Sequence, residues 1–198
     1  MIDLGANVPA ELVPLSWLIG VWEGTGLVNY KIGDETRELE FGQRVSFSHD
    51  GLPYLNYNSY TWLLDENKTP HITESGYWRL MRPAADGDPG PGMLPGVGER
   101  PFTSPTAVET LRNAAEGFDI EVSLVHPNGV SELYLGQVKG PRVDLATDAV
   151  MRSASAKECA AATRIYGLVD SHLLWAWDIA AYGQDLRTHA SGRLARVE

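Results

Sequence analysis

The chain has a single cysteine, Cys159, in 198 residues, so it can form no internal disulfide and suits a reducing compartment. It is also short of positive charge. Sixteen Lys and Arg stand against 26 Asp and Glu, a formal net charge of −10. That balance argues against nucleic acid and anionic membrane surfaces as partners, since both would repel it. No uninterrupted apolar run reaches the roughly 18 residues of a membrane span. The N-terminal stretch Met1 to Pro14 has Asp3 and Glu11, no basic residue and no long apolar run, which argues against a secretory signal. These lacks predict a cytoplasmic protein. No H-E-x-x-H and no G-x-S-x-G occurs, so neither a zinc-protease site nor a serine-hydrolase elbow is supported.

What is present is β-sheet pattern. With 43% hydrophobic and 21% charged residues the chain can bury a core, and its length suits one domain, 1–198. Apolar residues from Pro9 to Gly20 predict a short helical turn that Gly20 ends. From Trp22 on, about ten segments read as strands with no βαβ alternation. Leu39, Phe41, Gln43, Val45 and Phe47 share one face, as do Leu173, Trp175, Trp177, Ile179 and Ala181. Asp50-Gly51 and Asn128-Gly129 mark hairpin turns. The expected fold is an all-β, about ten-stranded antiparallel up-and-down barrel, wide enough to hold a small ligand. Residues 83–117 hold many of the 12 Pro and 20 Gly and read as an insertion between neighbouring strands. Such a loop either covers a barrel mouth or is mobile, with mobility favoured.

Three stretches together resemble the nitrobindin family, haem-binding barrels similar to fatty-acid-binding proteins. The first carries a G-x-W-x-G-x-G pattern at Gly20, Trp22, Gly24 and Gly26. The second joins Phe47 to Gly51 with Glu74-Ser75-Gly76-Tyr77, and His126 to Glu132 looks familiar beside it. The third is the C-terminal strand around Asp185-Leu186-Arg187-Thr188-His189. The resemblance implies ferric haem b held by His189, nitric oxide binding, and isomerisation of peroxynitrite to nitrate. Two places depart from the family pattern. Tyr30 is followed by Lys31-Ile32 with no proline, and the histidine before Glu74 lies one position early, at His71.

The residues themselves leave alternatives open. A neutral imidazole is a good ligand for haem iron. Strict alternation, however, puts His189 on a face with Arg187, Ser191 and Arg193, against an apolar face of Leu186, Ala190 and Leu194. A bulge near Gly192 would swap the faces beyond it. An inward Arg193 would then suit a haem propionate or the carboxylate of a fatty acid. Lys157 is a candidate rim cation for propionates, with a solvated lysine the plainer reading. Gly20, Trp22, Gly24 and Gly26 read as structural, with Trp22 plugging an end. His49, His126 and His172 read as solvated turn residues, His71 as a residue near the mouth, and Cys159 as a buried, inert thiol. The rivals to a haem protein are a carrier of a small hydrophobic ligand and a filled barrel that binds a partner protein. A homodimer is compatible with either.

Overall fold

A computed structural model describes residues 8–32, 35–181, 183 and 185–197. Residues 1–7, which carry half of the leader argument, lie outside the described residues, as do 33 and 34 of the Tyr30 stretch and 182 and 184 near the last turn. Ten antiparallel strands run as β1 (Gly20–Ile32), β2 (Glu35–Ser48), β3 (Leu55–Leu63), β4 (Pro70–Leu80), β5 (Phe118–Val125), β6 (Val130–Lys139), β7 (Arg142–Arg152), β8 (Ala161–Val169), β9 (His172–Ala180) and β10 (Arg187–Arg196). Each strand pairs with its sequence neighbour and β1 closes on β10, so the expected up-and-down barrel is present and, among the described residues, no sheet edge is left open. Asn128-Gly129 makes its turn as expected. Gly129 has φ +85, and the His126 amide donates to the Val130 carbonyl at 2.9 Å to start the β5–β6 ladder.

The two ends of the barrel differ. At the end where β1 begins, a 3-10 helix spans Ala10–Leu18 and drops Leu12, Leu15 and Leu18 into the core with no exposed surface. Gly20 turns the chain from helix to strand at φ +132, a conformation only glycine adopts readily. Trp22 then reaches back, donating its indole N–H to the Leu18 carbonyl at 2.7 Å. It plugs this end.

The insertion packs at the same closed end, away from the mouth. The Arg82 guanidinium lies between Glu11 at 2.6 Å and Asp88 at 2.7 Å, and these hydrogen bonds hold Asp88 down at about 2. A short helix α1 (Pro105–Glu109), capped by Ser104, packs beside the 3-10 helix and buries Val108 in the core. The segment favoured as mobile is therefore tied down. Val108, with Phe102 and Leu111 packed beside it, and one ion-pair network anchor it, and neither stands out in a Pro/Gly-rich composition.

Alternation was read correctly on β2 and on β9, and β8 carries a charge on its inner face. There Ala162, Arg164 and Tyr166 point inward while Ile165 is exposed.

Candidate functional site

The other end of the barrel opens into a cavity of about 310 Å³, a normal size for a small-molecule site. Val28, Phe41, Trp175, Trp177, Ile179 and Ala190 supply apolar wall, and His71 and Ile72 stand near the mouth. Glycines let the wall form. A side chain at Gly26 would collide with the Phe41 ring, and one at Gly192 would lie 2.6 Å from the Trp175 indole nitrogen. That indole instead donates to Gln43 at 2.8 Å, and Gln43 donates to Ser59 at 2.9 Å.

His189 lines this cavity. The β9–β10 register slips between Thr188 and Ala190, so His189 itself occupies the bulge. The bulge was expected near Gly192. Its true place resolves the conflict of faces, because His189 reaches the cavity while Ala190 and Leu194 keep the inner face. Burial pushes the imidazole below its usual 6.5, partly opposed by a hydrogen bond to the Asn29 main chain. A neutral imidazole offers a nitrogen lone pair to a ligand. The ring also meets Trp177 edge-on, with centroids 5.5 Å apart at 87°.

Alternation is unbroken after Ala190, so Arg193 pairs with Leu174 on the outer face and is exposed, with its guanidinium 3.2 Å from His172 Nδ1. The inward Arg193 is corrected accordingly. Lys157 is exposed in the β7–β8 connection and lines the cavity with Glu158 and Cys159. Cys159 is half-buried rather than buried, and burial pushes its thiol up, which keeps it protonated and unreactive. Gly20 and Trp22 sit at the closed end, remote from the cavity, whereas Gly24 and Gly26 lie along β1 where β10 crosses.

Sequence reasoning missed a buried polar cluster in the cavity wall. Arg164, 3% exposed, makes a two-pronged ion pair with Glu74 at 2.7 and 2.8 Å. Its Nε donates to Tyr134 at 3.1 Å, and Tyr57 donates to Glu74 at 2.6 Å. Burial alone would raise the Glu74 carboxyl, but the Arg164 charge and hydrogen bonds prevail and bring it to about 2. Burial drives Tyr57, Tyr134 and Tyr166 upward, so all three stay protonated. His126, read as solvated, is in fact enclosed. Its Nε2 lies 2.8 Å from Glu132 and its ring stacks on Trp177 at 6.2 Å. Arg164 sits 4.4 Å over the same indole. A signal was available, since Glu74, Glu132 and Arg164 all fall on inward parity with Trp78, Tyr134 and Tyr166. Charges of both signs on inner faces indicate a buried ion pair.

Among the described residues no group of three or more His, Cys, Asp or Glu is placed to hold a bare metal ion. A metal at His189 would have to bring its own ligands, as iron in a porphyrin does. Residues 11–196 match the model of the THAP4-like, heme-binding beta-barrel domain. The chain belongs to that family. Members similar to it over their full length include proteins named peroxynitrite isomerase from Leifsonia xyli subsp. xyli, 68% identical over 198 residues, and from Clavibacter michiganensis subsp. michiganensis, 66% identical over 199. In each case the match covers 100% of both chains. The crystal structure of Rv2717c from M. tuberculosis superposes with a TM-score of 0.70 at 27% identity, covering 96% of this chain and 99% of that one. The heme-binding family thus matches nearly the whole barrel, and no helix among the described residues is long and apolar enough to cross a membrane.

Proposed function

We propose that this chain is a ferric haem b protein that isomerises peroxynitrite to nitrate, with His189 as the protein ligand to iron. The observation that carries this reading is the desolvated His189 imidazole, set edge-on to Trp177 by the bulge in β10 and facing a cavity with apolar walls. Relatives that match over the whole chain bear the name peroxynitrite isomerase. Bound ferric haem supplies a Lewis-acidic iron that polarises a peroxynitrite oxygen. The conversion adds no atom, proton or electron, so the side chains need not act as acid or base. Their task is to hold the group and keep water out. His189 fixes the iron's place, Phe41, Trp177 and Ile179 wall off solvent, and Lys157 at the mouth offers a cation to a propionate. The single cysteine and the acidic balance support a cytoplasmic location.

A fatty-acid carrier fits the cavity less well. Deep in the cavity its carboxylate would meet no unpaired cation among the described residues, since Arg193 faces out and Arg164 is already neutralised by Glu74, which leaves Lys157 at the mouth. Titration with haemin tests the assignment. A Soret band should form with one haem per chain and be lost or shifted in His189→Ala, and the loaded protein should speed peroxynitrite decay with nitrate as product. A spectrum unchanged by that substitution would remove His189 as the ligand. Lipid found bound by mass spectrometry, with no haem uptake, would favour the carrier.

A further inference from the structure

Three of the chain's four methionines lie among the described residues, and none of the three belongs to the core. Met93 is 96% exposed, Met151 71% and Met81 48%. A thioether is ordinarily a core filler, its flexible stem closing gaps that branched side chains leave. Met93 departs furthest from that habit. It lies in the insertion with its backbone at φ +63, directly after Gly92 at φ +65. In that left-handed region glycine or asparagine sits at little cost and a longer side chain is strained. The turn that presents it is closed by main-chain bonds, from the Gly90 amide to the Leu94 carbonyl at 2.9 Å and from the Val97 amide to the Asp86 carbonyl at 2.6 Å. Neither backbone preference nor packing accounts for a methionine here, which leaves the chemistry of its sulfur.

We propose that Met93 is an oxidation site, at which a peroxide-type oxidant, peroxynitrite above all, converts the thioether to its sulfoxide, with Met151 a second and slower site. The choice of oxidant rests on the function proposed above. The sulfur lone pair attacks the terminal peroxide oxygen of peroxynitrous acid, the O–O bond breaks, and nitrous acid leaves and ionises to nitrite and a proton. Sulfur is oxidised by two electrons and the peroxide reduced by two, so no co-reactant is needed. Susceptibility follows exposure. The sulfur of Cys159 is half-buried and kept protonated, which makes it the poorer acceptor. A sulfoxide inside a core disrupts packing, but Met93 has almost none to lose. The insertion that carries it is clamped to the closed end through Asp88, so oxidant is consumed there without touching the His189 end.

Treatment of the full chain without haem with less than one equivalent of peroxynitrite, followed by peptide mass spectrometry, tests this. Sulfoxide should appear at Met93 ahead of Met151 and Met81, with the Met93 share roughly twice that of Met81, in step with exposure. Nitrite should form one for one with sulfoxide, above a decayed-reagent control. Met93→Leu should lower the nitrite by the Met93 share. The denaturant midpoint of the oxidised chain should match that of the untreated one, as for other surface changes remote from packing. Oxidation of Met81 or Met151 ahead of Met93, a nitrite yield unchanged by Met93→Leu, or a lowered midpoint would overturn the assignment. The two readings fail separately, because the haem reaction yields nitrate and needs His189, whereas this one yields nitrite and needs no haem.

Discussion

The closed end of the barrel and the open end are made of the same strands but of different chemistry. At the closed end Leu12, Leu15, Leu18, Trp22 and Val108 fill the space with apolar volume, and the charged groups there, Arg82 with Glu11 and Asp88, clamp the insertion to the helix. Toward the open end the wall carries His126, His189, Glu74, Glu132 and Arg164, and a cavity remains. A solid plug at one end stabilises the barrel without obstructing the other, where unfilled volume and desolvated charge are costly but chemically useful.

The sharpest test of this division is Arg164→Met. It leaves Glu74 and Glu132 buried without their cation, and denaturant unfolding should show a loss of about 3–5 kcal/mol. A loss below ~1 kcal/mol would mean that water reaches the cluster and that the open end is not desolvated. Next in size is Leu18→Ala at the closed end, with an expected loss of about 2–5 kcal/mol from cavity formation. Haemin affinity of the folded fraction should be unchanged. If affinity falls in step with stability, the two ends are not independent.

Acid should act on both ends at once. Glu74 and Asp88 are each held at about 2, below their ordinary values of 4.5 and 3.8. Their contribution is complete above the unfolded-state values and is lost as the pH falls through the folded ones. Stability should therefore decline between about 4.5 and 2, and Glu74→Gln should flatten the profile over that range. Haem loading should respond earlier. Burial holds His189 below 6.5, so its ring gives up its proton at lower pH than a free imidazole. Haemin binding should weaken as the pH falls through that lowered value, with His189→Ala removing the dependence. The smallest effect is expected of Lys157→Gln. As an exposed rim cation it should change haemin affinity by less than ~1 kcal/mol, and more at low than at high salt.

Much of the architecture was legible because period-two hydrophobicity reports directly on which strand face is buried. β2 and β9 show this, and the turns at Gly51 and Gly129 carry the glycines their backbones require. His189 was legible as a candidate through family resemblance alone, since alternation pointed it outward. The cluster around Arg164 was not found, because a charged residue on a strand is ordinarily a solvated one. Only pairing with Glu74 on β4, across the barrel interior, makes burial tolerable.

The amino-acid order by itself determined ten strands, their meander and an apolar lining, all consequences of side-chain alternation and local turn chemistry. Tertiary structure decided the rest. A one-residue bulge aims His189 inward, barrel closure joins Arg164 to Glu74, and docking of the insertion seals the far end. Each depends on groups distant in sequence, and their energies exist only once the barrel has brought those groups together.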